Sequence, residues 1–274
     1  MSENELNFIK EKILEFADKY LDGNIDKIVS FPLTQLAKDK NFGCPGRSFD
    51  PDDTEIMRYF YIAVFNQAWP FLTLESLKTA EFRGDTLNTY NTLFGRPDDN
   101  SEHPGLDRFS PSEELTAKVE DFYNNHFPTI GNMVVLPNRR YENRTINTYR
   151  GCHPQWRDFF DRFLPEALKI LNMQKDFDMT LYQLFEENFI YFKRYYNPTG
   201  EHNEDGPKSF IENLFLQDYM DSDYHSKSLY FWKRNLSAEE YFDEANRYID
   251  FANKVIENRG RKMLAALKEF MSLC

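Results

Sequence analysis

The chain has 274 residues, a net charge of −12 at pH 7, 41% hydrophobic residues and 16% aromatic residues. This length fits one large domain or two closely joined ones. The aromatic content can fill a packed core, which argues against intrinsic disorder. The acidic charge argues against nucleic-acid binding by the whole surface, although a local cationic site stays open.

The cysteines indicate a reducing compartment. Cys44, Cys152 and Cys274 lie far apart and form no CxxC pair, which argues against a disulfide framework and a zinc knuckle. We therefore expect no metal site and a cytoplasmic location. The N-terminus lacks the apolar stretch of a signal peptide, and no apolar run approaches the roughly 18 residues of a membrane span. We expect no membrane partner.

The first elements in chain order are helices. Ser2 and Glu5 form a capping box, and apolar residues then recur at helical spacing until Gly23. A shorter helical piece extends to about residue 38. Asp50 and Pro51 predict a second helix start, because aspartate caps a helix and proline suits its first turn.

Residues 82–109 carry much Asn, Gly, Asp and Pro and little helical periodicity. They predict an irregular segment, and a loop this long in a compact domain is often functional. Asp85 and Asn88 are candidates to face a ligand. The alternative is that these small polar side chains satisfy backbone groups in turns.

A second segment, residues 126–151, follows a helix that starts at residues 110–113. Its β-rich run from Met133 to Leu136 predicts a buried strand or hairpin. Asn132 and Asn138 bracket the run, and Gly131 is expected to supply a positive-φ turn. His126 at the preceding helix end fits a structural role or a catalytic one.

Four arginines follow the run, namely Arg139, Arg140, Arg144 and Arg150. Guanidinium groups suit phosphate and carboxylate groups. The alternative is that they neutralise acidic neighbours elsewhere in the chain. Arg150 is the best candidate for an anion site, because Gly151 lets the backbone approach closely and Asn147 lies one helical turn or one hairpin step away. An anion-binding arginine should be partly exposed.

The remaining pattern predicts helices from residue 154, from the cap Asp178, over residues 208–220, and from the capping box of Ser237 and Glu240. We expect the last helix to break or bend at residues 258–260. The fold class is mainly α, a single helical domain over residues 1–274 with a small β element near residues 130–137. A boundary at residues 197–207 is the alternative.

Common nucleotide-binding and hydrolase motifs are absent from the sequence. His153 follows Cys152, but no second Cys or His stands at ligand spacing. The run TIGNMVVLP, followed by Asn147 and Arg150, resembles the C-terminal half of HNH-type nuclease domains over residues 129–151. That resemblance implies a hairpin and helix that hold a divalent metal. The family's first, His-rich motif has no counterpart except the loop residue His103.

The same stretch, together with FRGDTLNTYNTLFG in the earlier segment, resembles a family of uncharacterised bacterial proteins. This second resemblance covers much of the chain and implies no known activity. The sequence indicates no particular cofactor, catalytic residue or oligomeric state.

We therefore expect a protein that binds a small polar or anionic ligand in a pocket formed by residues 82–109 and 126–151. Tyr90, Phe94 and Tyr149 would supply aromatic walls. The candidate ligand-binding residues are Asp85, Asn88, His126, Asn132, Asn138, Asn147 and Arg150.

Two alternatives stay open. One is a divergent metal-dependent nuclease, with His103, Asp85 and His126 near a metal and the arginines on phosphates. The other is a structural or partner-binding protein with its tyrosines and phenylalanines at an oligomer face. The missing first motif favours the binding protein over the nuclease.

Overall fold

A computed structural model describes residues 2–44, 48–88, 111–152, 160–196, 205–221 and 237–273. The fold is mainly α, as the sequence predicts, and its sheet is one antiparallel pair of strands. None of the described helices combines the length and the apolar composition that crossing a membrane requires.

The first helix, α1, spans Glu3–Tyr20 and begins at the predicted cap, where the Ser2 hydroxyl accepts a hydrogen bond from the Glu5 amide at 3.2 Å. The 3-10 turns Ile25–Ser30 and Leu33–Leu36 follow. Helices α2 (Glu55–Phe65) and α3 (Leu74–Lys78) come next.

The predicted helix start at Asp50 is wrong by one turn. Pro51–Asp53 forms a 3-10 turn, and Thr54 is extended before α2 begins at Glu55. The amides of Glu55 and Ile56 donate to the carbonyls of Gly43 and Phe42, at 2.9 and 3.2 Å. These tertiary hydrogen bonds fix the helix end, so the local capping signal does not decide it.

The prediction of an irregular segment is wrong for its first residues. Strand β1 (Phe82–Thr86) pairs antiparallel with β2 (Met133–Pro137), and Gly84 lies opposite Val135. The sequence FRGDT has little strand character of its own, so the strand depends on its distant partner. Residues 89–110, which complete that segment, lie outside the described residues.

Helix α4 (Glu113–Asp121) is capped by Ser112 and continues as a π-helical turn, Phe122–His126. After β2 comes helix α5 (Ile146–Cys152), so Asn147 and Arg150 lie one helical turn apart and not one hairpin step apart. Four helices then precede residue 214, and Asp178 caps the second of them as predicted: α6 (Phe160–Leu171), α7 (Met179–Glu187), α8 (Phe189–Phe192) and α9 (Gly206–Asn213).

The last helix, α10, spans Ala238–Ser272. Both bonds of its predicted capping box are present: the Glu240 amide donates to the Ser237 hydroxyl, and the Ser237 amide donates to the Glu240 carboxylate. Of the expected break or bend at residues 258–260, the break is wrong, because α10 is continuous there. Gly260 instead packs against Gly131. A Cβ added to Gly260 would lie 3.6 Å from the Cα of Gly131.

The main core packs α1, α2 and β2 together with α6 to α9 and the second half of α10. It includes Tyr195 and Tyr196 before residues 197–207, and Phe210 and Leu214 after them. A smaller cluster lies between α4 and the first half of α10, where Val119 and Phe122 pack with residues such as Tyr248.

Gly131 is needed for close packing. It lies in a 3-10 turn, Ile130–Asn132, and among the described glycines it is Gly23 that has a positive φ. The predicted positive-φ turn at Gly131 is therefore wrong. A Cβ at Gly131 would lie 1.9 Å from the carbonyl oxygen of Ile256 in α10, so only glycine fits there without displacing the helix.

We expect Gly131→Ala to lower the free energy of unfolding by about 1–3 kcal/mol, because the added methyl group overpacks the contact with α10. Urea denaturation measures this change. Gly260→Ala is the matched control, since its nearest atom is a Val29 methyl carbon at 3.1 Å and alanine favours a helix by about 1 kcal/mol over glycine. A loss for Gly131→Ala no larger than that for Gly260→Ala would contradict this packing.

Candidate functional site

The structure brings Asn88 and Asn132 together, although they come from the two distant segments. The backbone amide of Asn88 donates to Asn132 Oδ1 at 2.8 Å, and Asn132 Nδ2 donates to the backbone carbonyl of Asn88 at 2.7 Å. Asn132 Nδ2 also donates to the Phe127 carbonyl at 3.0 Å. The pair therefore ties the end of β1 to the turn before β2.

Two tyrosines complete this asparagine network. Asn88 Nδ2 donates to Tyr219 Oη at 2.8 Å, and Tyr248 Oη donates to Asn88 Oδ1 at 2.9 Å. Asn88 and Asn132 are 2% and 0% exposed. Because each amide group already has partners within the protein, the network is structural. Sequence reasoning missed the tyrosines, since their spacing in the chain gives no sign of this contact.

Arg150 is also buried, which contradicts the expectation that it is partly exposed. It is 0% exposed and forms an ion pair with Asp85, and its Nη2 donates to the Thr86 carbonyl at 2.9 Å. One turn earlier on α5, Asn147 Nδ2 lies 3.4 Å from the Gly84 carbonyl. Helix α5 therefore holds β1 from one side with Asn147 and Arg150.

The other predicted site residues lie apart from this cluster. Asn138 Nδ2 donates to the Ala80 carbonyl at 3.0 Å, at the far end of β2. His126 is half-buried, and its Nε2 lies 3.5 Å from Asp121. No hydrogen bond or ion pair between described residues joins His126 to Asp85. The described ranges also contain no group of three His, Cys, Asp or Glu side chains placed to hold a metal ion.

The predicted aromatic wall is described only at Tyr149, since Tyr90 and Phe94 lie outside the described residues, as do His103 and His153. Tyr149 is buried and donates to Asp178 at 2.9 Å. Burial and this hydrogen bond raise the pKa of Tyr149 to about 12. Its hydroxyl therefore stays protonated at neutral pH.

The other three arginines are exposed. Arg139 lies over the Tyr191 ring at 5.1 Å, and Arg144 lies over the Tyr149 ring at 5.6 Å. The guanidinium groups of Arg139 and Arg144 therefore each lie against an aromatic face, where cation–π attraction accounts for their position.

A cavity of about 400 Å³ lies beside β1. It opens between the strand, the 3-10 turn before α2, one face of α2 and the end of α3. Its lining residues are Asp52, Asp53, Arg58, Tyr61, Leu77, Lys78, Ala80, Phe82, Arg83 and Gly84. Three cationic side chains and two carboxylates share this small volume, so electrostatics decides what it can bind.

The three cations differ in whether a carboxylate pairs with them. Arg58 is paired with Asp53 at 3.3 Å and with Glu55 at 2.8 Å. Lys78 and Arg83 are exposed, and no carboxylate among the described residues lies within ion-pair distance of either. The cavity therefore presents two positive charges without a bound counter-charge from the described parts of the chain.

Gly84 allows β1 to form one wall of this cavity. A Cβ on Gly84 would lie 2.4 Å from Tyr61 Oη and 2.5 Å from the Asp52 carbonyl oxygen. Tyr61 Oη itself donates to that carbonyl at 2.9 Å. A larger residue would push the strand away from α2 and the 3-10 turn, so glycine sets the width of the cavity here.

A pair of carboxyl groups lies at the edge of the cavity. Asp50 precedes the 3-10 turn Pro51–Asp53, and Asp52 of that turn lines the cavity. Burial, followed by the contact with Asp50 and the charge of Asp85, raises the pKa of Asp52 well above its usual range, and Arg83 acts in the opposite direction. Burial and the same carboxylates also raise the pKa of Tyr61.

The sequence pointed to the region of this cavity but not to its residues. Arg83 and Gly84 begin the polar segment singled out above, whereas Lys78 looks like an ordinary solvated lysine at a helix end. Asp52 follows the predicted helix start at Asp50 and Pro51, where an acidic residue is ordinary. No local pattern could show that these three elements meet, because their contacts are tertiary.

Comparison with family models found one match, over residues 105–263, to a family of unknown function (DUF6994). Comparison with curated proteins and with solved structures found no similar protein. The matched segment contains β2, α5 and α10 up to residue 263, whereas every residue that lines the cavity precedes it. The HNH resemblance receives no support from this match and stays a hypothesis.

We expect Arg150→Lys to lower the free energy of unfolding by roughly 1–3 kcal/mol, because lysine cannot keep both the Asp85 ion pair and the Thr86 hydrogen bond. Chemical denaturation measures the loss. Arg140→Lys is the control, since Arg140 is exposed and surface changes usually stay within about 0.5 kcal/mol. Equal stability of the two variants would show that the buried pair is not structural.

We expect Asn132→Ala to lower the free energy of unfolding, because it leaves buried groups without a hydrogen-bond partner, including the backbone amide of Asn88. Each such group should cost about 1–3 kcal/mol. Thermal unfolding and urea denaturation both measure this loss. Asn124→Ala, at an exposed position a few residues earlier, should leave the transition unchanged. A stable Asn132→Ala variant that lost only ligand binding would assign the network to a binding site instead.

Proposed function

The chain belongs to this family of unknown function, and we propose that it binds a small anionic ligand in the cavity beside β1. The ligand would carry carboxylate, sulfate or phosphate oxygens. The observation that supports this proposal most directly is the pair Lys78 and Arg83, two cations that line the cavity without an ion-pair partner among the described residues. We also propose a bacterial, cytoplasmic setting, as the sequence suggests.

Long-range electrostatics makes this pair significant. A chain of net charge −12 repels anions, so an anion site must supply its own local positive potential. Lys78 and Arg83 supply that potential at the cavity, since neither is in an ion pair with a described carboxylate. The guanidinium of Arg83 can bind two oxygens of one anion at once.

The size of the cavity fits a small molecule. Its volume of about 400 Å³ lies at the lower end of the range of roughly 300–1,000 Å³ typical of ligand pockets. The surrounding chain fixes the wall, because Asn147 and Arg150 hold β1 from its other side. In this proposal Asp85, Asn147 and Arg150 position the strand and do not touch the ligand.

This proposal modifies the pocket expected from the sequence. Residues 82–84 of the first segment line the cavity, while residues of the second segment support it from behind. The asparagines 88 and 132 belong to the buried network and not to the cavity. A nuclease site gains no supporting contact from the described residues.

The test is isothermal titration calorimetry with sulfate and with succinate, using the unmodified protein and single variants. We expect binding by the unmodified protein, and we expect Arg83→Gln and Lys78→Gln each to weaken it by about tenfold or more, since a hydrogen bond to a charged group contributes roughly 1.5–3 kcal/mol. Affinity should also fall as the salt concentration rises.

Arg140→Gln and Lys175→Gln are matched controls, because both remove an exposed charge outside the residues that line the cavity. They should bind like the unmodified protein. If the controls weakened anion binding as much as the cavity variants, the loss of affinity would come from the change in net charge and not from the cavity. No binding of either anion at millimolar concentration would contradict the proposed function.

A further inference from the structure

We propose that a second cavity, at the C-terminal ends of α2, α9 and α10, binds an aliphatic amine in its protonated form. This site is independent of the proposed anion site, because it lies at the other end of α2 and shares no lining residue with it. It would give the protein a second ligand, of opposite charge to the first.

Three helix ends form the walls of this second cavity, which has a volume of about 390 Å³. The lining residues come from residues 63–67 at the end of α2, residues 212–215 at the end of α9 and residues 262–273 at the end of α10. The last carbonyl groups of a helix have no partner within the helix and carry its negative partial charge. Three such ends around one volume favour a positively charged ligand.

Two cations of the chain itself show this attraction. Arg194 Nη1 donates to the Gln67 carbonyl, and Lys10 Nζ donates to the Leu273 carbonyl. Gln67 and Leu273 both line the second cavity, whereas Arg194 and Lys10 do not. The backbone beside the cavity therefore already accepts hydrogen bonds from cationic side chains that reach it from outside.

The charged side chains of the second cavity leave it with an excess of negative charge. Glu212 and Glu269 both line it. No cation among the described residues lies within ion-pair distance of Glu269, and Glu212 lies 4.0 Å from Lys208. Lys262 also lines the cavity, but it is paired with Asp218 at 2.6 Å. The cavity therefore does not balance the two glutamates with a cation of its own.

The neutral polar side chains add hydrogen-bond acceptors. Asn66 Nδ2 donates to the Ala63 carbonyl at 3.5 Å, and Asn213 Nδ2 donates to Tyr195 Oη at 3.2 Å. Because these amide nitrogens are engaged within the protein, each side chain offers its oxygen to a ligand. An ammonium group has three donors and no acceptor, so it matches a lining of carboxylate and amide oxygens.

The apolar part of the lining suits an alkyl chain. Ala63, Ala265 and Ala266 leave the volume open because their side chains are small, and Phe215 and Phe270 add aromatic surface. The face of an aromatic ring also attracts an ammonium ion. A metal ion fits less well, since the described ranges hold no group of three His, Cys, Asp or Glu side chains placed to bind one. The ligand class is therefore an amine with a short alkyl chain.

The experiment is calorimetric titration of cadaverine, a linear diamine, into the full chain at about pH 7 and low salt. Both of its amino groups stay protonated there, since the amine of lysine has an ordinary pKa of about 10.4. We expect binding with an affinity that falls as the salt concentration rises. The corresponding diol has the same length without the charge, and it should not bind.

Glu269→Gln tests the carboxylate, because it removes the charge at an exposed position and nearly keeps the shape of the side chain. We expect it to weaken cadaverine binding by about tenfold or more, as the loss of a hydrogen bond between charged groups should. Glu187→Gln is the matched control. It removes an exposed carboxylate at the end of α7, outside the lining of the cavity, and should bind like the unmodified protein. Ala265→Phe keeps every charge but fills part of the volume from an exposed position of α10, and it should weaken binding several-fold.

No binding of cadaverine by the unmodified protein at millimolar concentration would overturn this inference, and so would equal binding of the diol. Equal affinities of Glu269→Gln and Glu187→Gln, or unchanged binding by Ala265→Phe, would place the amine outside the cavity and overturn it as well. The proposed anion site survives each of these results, because Glu269 and Ala265 do not line that cavity. The comparison of cadaverine with the diol on the unmodified protein decides the question even if a variant does not fold.

Discussion

The fold depends on how a wholly buried strand satisfies its backbone. All five residues of β2 are buried, and β1 is its partner on one edge. Side chains from elsewhere in the fold donate hydrogen bonds to backbone carbonyls in and just before β2. Trp69 Nε1 donates to the Val135 carbonyl at 2.9 Å. Arg259 Nη1 donates to the carbonyls of Gly131 and Met133, at 2.7 and 2.5 Å. Since a buried carbonyl without a partner costs about 1–3 kcal/mol, these donors permit the strand to lie in the core.

Arg259 donates two of these hydrogen bonds, and its charge is buried. It is 0% exposed, it also donates to the Leu214 carbonyl, and its guanidinium lies over Phe65 at 5.7 Å. Burial lowers its pKa to about 10, so Arg259 stays protonated at neutral pH and keeps its donors. Gly131 lets α10 approach closely enough for these bonds. The long helix, the sheet and the turn after α9 are thereby joined at one residue.

The same constraint explains the position of the candidate site. Strand β1 covers one edge of β2, and α5 holds β1 through Asn147 and Arg150. The strand therefore cannot move freely, and its first half forms a fixed wall of the cavity. Arg83 projects from that wall, while Lys78 comes from the helix that precedes it.

The sequence predicted those features that depend on local chemistry. The caps Ser2, Asp178 and Ser237 are confirmed, because each bonds to an amide three residues later. Strand β1 escaped prediction, and the sequence left helix α5 open beside a hairpin, since tertiary partners stabilise both elements. The expectation that Asn88 and Asn132 belong together is matched by their direct contact, but that contact is buried. Sequence alone could not separate a polar network that faces the core from one that faces a ligand.

The most direct measurement for the account is a crystal structure grown with selenate, an anomalous scatterer with the shape and charge of sulfate. The account predicts an anomalous peak inside the cavity, within hydrogen-bond distance of the Arg83 guanidinium or the Lys78 ammonium group, with β1 held by α5 as described here. Peaks confined to exposed arginines such as Arg140 and Arg144, with an empty cavity, would contradict it.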